Sequence, residues 1–178
     1  VVHGIGAFNP ETGEVISKSN APSYSKVFGD TLTELAKKDE KIVAIAAAMG
    51  TATGLLPFYE SHTERYFDVG IAEEHAVVFA AGRAKQGYKP VVAIYSTFMQ
   101  RALDNIIHDV ALQNLPVIMM LDRAGIVGED GATHHGAFDF SYLKYIPNLT
   151  VMAPANETEL QDMLNSALTL KNPSVIRR

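Results

Sequence analysis

The sequence holds no cysteine, which excludes a disulfide framework, a thiolate metal site and a cysteine nucleophile at once. Positive charge is not in surplus either. The net charge is −5 and the pI about 5.6, so no field exists to hold a polyanion such as DNA. No run of apolar residues is long enough to span a membrane, and the opening VVHGIGAFNPETGE lacks the charged-then-apolar plan of a signal peptide. Nucleic acid and membrane are therefore not expected partners, and a cytoplasmic location is expected.

Several catalytic signatures are missing as well. A dinucleotide loop would read G-x-G-x-x-G after the first strand, and a Walker loop would end in G-K-[ST]. The nearest segment, MGTATGLL, has a single glycine pair at the wrong spacing. Tyr95-Ser96-Thr97 has no flanking glycines and so makes no nucleophile elbow. His134 and His135 are adjacent in a loop, and no H-E-x-x-H or equivalent spacing supports them as ligands. No metal site is expected from this chain.

What remains is an ordinary globular composition, 47% hydrophobic and 20% charged over 178 residues, enough for one domain with a proper core. The start without Met and the stop at SVIRR point to a piece of a longer chain. Residues 1–24, rich in Gly, Pro, Ser and Asn, read as a linker, and 25–178 as the domain. Apolar residues at 27, 28, 32, 35 and 36 give a helical stripe. Short apolar runs follow at 41–48, 65–70, 89–96, 115–122, 149–154 and 174–177. Between them lie helices over 72–86, 97–113, 139–145 and 156–170 and a short one in TGLLPFYESH, where Pro57 is tolerated in the first turn. Asn156 is a good N-cap, with Glu159 its capping-box partner. Continuous apolar strands alternating with helices predict a three-layer α/β/α fold with a mostly parallel sheet.

Ligands of such sheets bind beyond the carboxyl ends of the strands. Those ends carry Ala48-Met49-Gly50, Asp68–Glu73, Tyr95–Phe98 and Asp122-Arg123. The segment LDRAGIVGEDGATHHGAFD (121–139) is long for a strand-to-helix connection, which favours a function; a solvated polar loop is the other reading. Its glycines let the backbone approach a ligand. Arg123 suits a phosphate, His134 or His135 suits proton transfer near neutral pH, and Asp130 suits a sugar hydroxyl. Phe98 is open between core and a stacking platform for a flat ring. In DVGIAEEHAVVFAAG (68–82), Glu73 and Glu74 head an Ala-rich helix, where the helix dipole alone accounts for acidic residues.

Together, FDVGIAEEHAVVFAAG, VVAIYSTFMQRALDNIIHDVALQNLPV, DRAGIVGEDGATHHGAFD and the lead-in PSYSKVFGDTL resemble the 1-deoxy-D-xylulose-5-phosphate synthase family. The likeness is to its central, pyrimidine-binding domain, shared in fold with transketolases and 2-oxoacid dehydrogenase E1 β-subunits. It implies a thiamine-diphosphate enzyme that decarboxylates pyruvate and joins the two-carbon unit to D-glyceraldehyde 3-phosphate. The product serves isoprenoid, thiamine and pyridoxal synthesis. By position, Glu73 is the glutamate that hydrogen-bonds N1′ of the aminopyrimidine and favours its imino tautomer. Phe98 would stack on that ring, with Met49 and Ile71 lining the pocket and Tyr95 and Arg101 facing it. Arg123, Asp130 and His134 would hold the substrates, His134 carrying a proton. His3 matches a linker histidine.

The resemblance places Mg²⁺ on a G-D-G…N motif in a preceding domain, which these residues lack, and packs such domains as a homodimer. The fragment alone is thus expected to be inactive without its N- and C-terminal domains. Two departures stand out. Glu74 replaces the family's usual Gln, and Arg178 falls where the family continues R-Y-P-R-G. A stand-alone transketolase-like or E1 β-like subunit, and a non-catalytic dimerisation domain, are the rival readings.

Overall fold

The computed structural model describes residues 8–14 and 22–178. Helix α1 (Tyr24–Lys38) begins where Ser23 accepts the Lys26 N–H at 3.2 Å, and it turns Phe28, Leu32 and Ala36 inward at helical spacing. There follow β1 (Ile42–Ala46), α2 (Leu56–Ser61), β2 (Tyr66–Asp68), α3 (Glu73–Lys85) and β3 (Lys89–Tyr95). Beyond a mixed helical stretch come β4 (Ile118–Asp122), a long loop, α6 (Asp139–Leu143), β5 (Thr150–Met152), α7 (Glu157–Ala167) and β6 (Ser174–Arg177).

The strands form one sheet of order β2-β1-β3-β4-β6-β5, and every neighbouring pair runs parallel. Side chains alternate across a strand, so each run feeds two cores. Ala44, Val91, Ala93, Met120 and Ile176 face α1, α2 and α7, while Ile45, Val92, Ile94, Leu121 and Val175 face α3 and the helical stretch after β3. That two-sided burial explains why the strands read as unbroken apolar runs. Each fully buried branched side chain contributes roughly 1.5–3 kcal/mol. The expected three-layer α/β/α architecture is what the chain adopts.

Two expectations are corrected. The single helix expected over 97–113 is instead α4 (Ser96–Met99), a 3₁₀ turn (Gln100–Ala102), α5 (Leu103–Asn105) and a π-helical turn (Ile106–Ala111). Through these changes of turn, Met99, Ala102, Ile106, Val110 and Ala111 still reach the core. The strand expected over 65–70 stops at Asp68, because that carboxylate diverts the chain by accepting the N–H groups of Ala48 and Gly70. A smaller difference concerns α7: Asn156 accepts the Glu159 N–H at 2.9 Å, but the Glu159 carboxylate reaches back to Ala155 N–H, one residue before the cap.

Candidate active site

The chain leaves β1 toward β2 and leaves β3 toward β4, on opposite sides. The gap between the exits of β1 and β3 is therefore a topological switch point, where a parallel sheet opens a crevice. A cavity of about 300 Å³ lies there, lined by Ala47, Ala48, Met49, Ile71, Glu73, Phe98 and Arg101. The structure thus brings together Met49, Ile71, Glu73, Phe98 and Arg101 from the exits of β1, β2 and β3.

Glu73 is the first residue of α3 and only 1% exposed. Its Oε1 accepts a hydrogen bond from Arg101 Nη1 at 3.0 Å, while Arg101 itself stays half exposed. Arg101 also lies over the Phe98 ring, 5.5 Å from its centroid. Glu74 is exposed, so adjacent acidic residues divide between pocket and surface as helical rotation requires. Ile71 is 80% exposed and stands as an open apolar wall.

A second cluster adjoins the first through Phe98. Tyr95 stacks on Phe98 with ring centroids 5.9 Å apart and planes 12° apart, and His134 sits edge-on to both rings. Arg123 lies 5.2 Å over the Tyr95 ring, and its Nε pairs with Asp130 at 2.7 Å. Burial pushes the Tyr95 phenol up, against the pull of Arg123. Burial lowers Arg123, but Tyr95, Asp130 and Asp122 together hold it above its ordinary value. The four substrate residues expected from the sequence, Tyr95, Arg123, Asp130 and His134, therefore share one surface. His3 lies outside the described residues.

The loop after β4 is pinched at its neck. Gly125 donates to Gly136 O at 3.0 Å and Gly136 donates to Gly125 O at 2.8 Å. Inside it, His135 accepts the Val127 N–H at 3.1 Å and Thr97 Oγ1 donates to Thr133 O. His135 is thus a loop fastener, whereas His134 faces the aromatic pair. Beyond the neck, buried Asp139 accepts from Ser96 Oγ at 3.0 Å and Arg177 Nε at 2.9 Å. These anchors went unseen in the sequence; a lone Asp at a helix start reads as a cap.

The donor set suits a flat heteroaromatic ring: one buried carboxylate, one ring face and apolar walls. It offers nothing comparable for a metal-bound diphosphate. Among the described residues no three His, Asp or Glu side chains are grouped to hold a metal ion.

Residues 20–178 match the sequence pattern of the transketolase pyrimidine-binding domain. The chain belongs to that family. Within the pyrimidine-binding domain family its relatives include the 1-deoxy-D-xylulose-5-phosphate synthase of Desulfotalea psychrophila, 59% identical over 98% of this chain and 27% of the relative. The synthase of Natranaerobius thermophilus is 61% identical over 98% of this chain and 28% of its own. Among solved structures, a split-gene transketolase described as an inactive β4 tetramer superposes with a TM-score of 0.77 at 28% identity, covering 86% of this chain and 50% of that one. This pyrimidine-binding domain spans little more than a quarter of the length of the curated synthases it matches.

Proposed function

We propose that the chain is the pyrimidine-binding domain of a thiamine-diphosphate-dependent 1-deoxy-D-xylulose-5-phosphate synthase, acting on pyruvate and D-glyceraldehyde 3-phosphate. The observation that carries this reading is Glu73: a carboxylate 1% exposed, at a switch-point crevice, beside the Phe98 ring. Identity near 60% over nearly the whole chain to named synthases supports the substrate assignment.

In this reading the cofactor, when bound, supplies carbanion chemistry at its thiazolium carbon. The chain's own residues orient and protonate. Glu73 holds a proton toward the pyrimidine nitrogen, Phe98 stacks on that ring, and Met49 and Ile71 exclude water from its edges. Arg101 must give up Oε1 of Glu73, or leave the ring to the other carboxylate oxygen. Arg123 and Asp130 receive the phosphate and hydroxyl groups of the sugar phosphate, Tyr95 backs the site, and His134 moves a proton at the acceptor carbonyl.

Mg²⁺ and the diphosphate belong, in this reading, to an N-terminal domain of a longer protein, and His3 is assigned a catalytic part by the family likeness alone. A C-terminal domain, a homodimer and a cytoplasmic location complete it. Among the described residues no helix is long and apolar enough to cross a membrane. The likeness to a split-gene transketolase chain favours one second reading, a separately encoded subunit. The test is the full-length protein with pyruvate and a panel of acceptors. Product from D-glyceraldehyde 3-phosphate, abolished by Glu73→Ala, is expected; activity only with transketolase donors selects the second reading, and near-normal turnover of Glu73→Ala removes the catalytic assignment.

A further inference from the structure

The pocket has two walls from different connections: Ala48 and Met49 after β1, and Ile71 and Glu73 after β2. The last ladder bond between these strands runs from Val69 N–H to Ala46 O at 3.0 Å. Beyond it the two connections part. One atom spans them: Asp68 Oδ1 accepts the Ala48 N–H at 2.8 Å and the Gly70 N–H at 2.9 Å.

Both amides belong to residues with left-handed backbone. Ala48 has φ +59° and Gly70 φ +71°. The conformation is free for glycine but disfavoured for alanine, whose Cβ crowds the following carbonyl. Something must hold Ala48 there, and the bond from its N–H to Asp68 Oδ1 does so. Gly70 then passes the constraint on, since its carbonyl accepts the Ala72 N–H at 2.8 Å. Ala72 is the N-cap of α3 and has no side-chain cap of its own; Glu73 comes next. The Tyr66 hydroxyl approaches Asp68 Oδ2 at 3.4 Å. Burial, and then the Asp68 charge, push that phenol up to about 12, so it stays a donor at neutral pH.

We propose that Asp68 is a positioning residue, whose Oδ1 clips the two walls of the pocket together and sets the turn from which Glu73 projects. The proposal rests on the reading of the pocket as the pyrimidine site. It assigns a task to a residue that lines neither the pocket nor the substrate cluster.

The test is thiamine-diphosphate affinity by calorimetry in the full-length protein, with kcat and substrate KM measured beside it. Losing both bonds in Asp68→Ala is expected to weaken cofactor binding about 10- to 100-fold and to lower kcat at saturating cofactor, with pyruvate KM within about threefold. Asp68→Asn keeps an oxygen acceptor for both amides and is expected to bind within about fivefold of wild type. Adding Ala48→Gly to Asp68→Ala removes the backbone strain and is expected to recover part of the affinity. Unchanged affinity in Asp68→Ala overturns the proposal. So does an Asn variant as weak as the Ala variant, which would mean charge rather than geometry matters. If the Ala variant does not fold, the Asn variant decides alone: a loss of tenfold or more overturns the clip. A wild-type protein that binds no thiamine diphosphate removes the site reading itself, and is seen before any variant is compared.

Discussion

Gly136→Ala tests whether the neck of the loop after β4 sets the substrate surface. A Cβ at residue 136 would stand 2.5 Å from the Arg123 carbonyl oxygen and 2.6 Å from the Ser96 Cβ and Oγ, where ordinary contact starts at 3.4 Å. Neither neighbour can retreat. Arg123 is held at φ +58° with its N–H on Asp122, and Ser96 is buried at the head of α4. Residue 136 must therefore move by close to an ångström, straining the two bonds it shares with Gly125. Overpacking costs about 1–3 kcal/mol, and the weakened pair of backbone bonds adds about 1 kcal/mol. The expected loss of about 2–4 kcal/mol lowers Tm by roughly 5–15 °C for a domain of this size. The shift also moves His134 and Asp130 relative to Tyr95, and a misplacement on that scale costs about 100-fold in kcat/KM. Cofactor affinity should change little, because Gly136 does not line the Glu73 pocket. Steady-state kinetics, calorimetry and a thermal melt of the full-length protein check the three parts. A kcat/KM within about threefold of wild type would refute the idea that the neck positions the substrate residues.

Asp139→Ala strands the Arg177 guanidinium, 17% exposed, and the Ser96 hydroxyl; urea denaturation should show a loss of about 3–4 kcal/mol, largely recovered when Asp139→Leu is combined with Arg177→Met. Gly29→Ala would put a Cβ 1.9 Å from the Gly54 carbonyl oxygen, where α1 crosses the connection after β1; a loss of about 3 kcal/mol or more by the same assay is expected. Lys89 holds the Asp39 carboxyl below its ordinary value through a hydrogen bond at 2.8 Å. The folded form is thus depressed relative to the unfolded one, so its contribution is present above about pH 4 and fades as pH falls through the folded value. Both groups are partly exposed, so Asp39→Asn should flatten the acid limb of the stability curve by only about 0.5 kcal/mol.

The strands β1, β3, β4 and β6 were legible because burial on two faces writes an unbroken apolar run. The loop over 121–137 was legible for the opposite reason, since glycines and charges cannot continue a strand. Less could be read of the stretch after Tyr95. Its apolar residues keep helical spacing from Met99 to Ala111, so the 3₁₀ and π turns that interrupt it leave no mark in the pattern. Glu73, Phe98 and Met49 could be placed at strand exits, yet nothing local foretold that Arg101, twenty-eight residues on, would pair with Glu73. Asp68 and Asp139 were opaque for the same reason. Their partners are backbone amides of another connection, or an arginine 38 residues away, and no periodicity encodes such meetings.

Among the described residues the two outermost strands, β2 and β5, are three residues each. An unpaired strand edge is a template for adding another chain, and three residues offer too few free rungs for a register to hold. Self-association of this chain by sheet extension, including amyloid-like stacking from the edges, is therefore disfavoured by length alone. Apolar side chains such as the exposed Ile71, Ile126 and Phe138, rather than these short edges, are then the surfaces open to mispairing if the domain is handled alone.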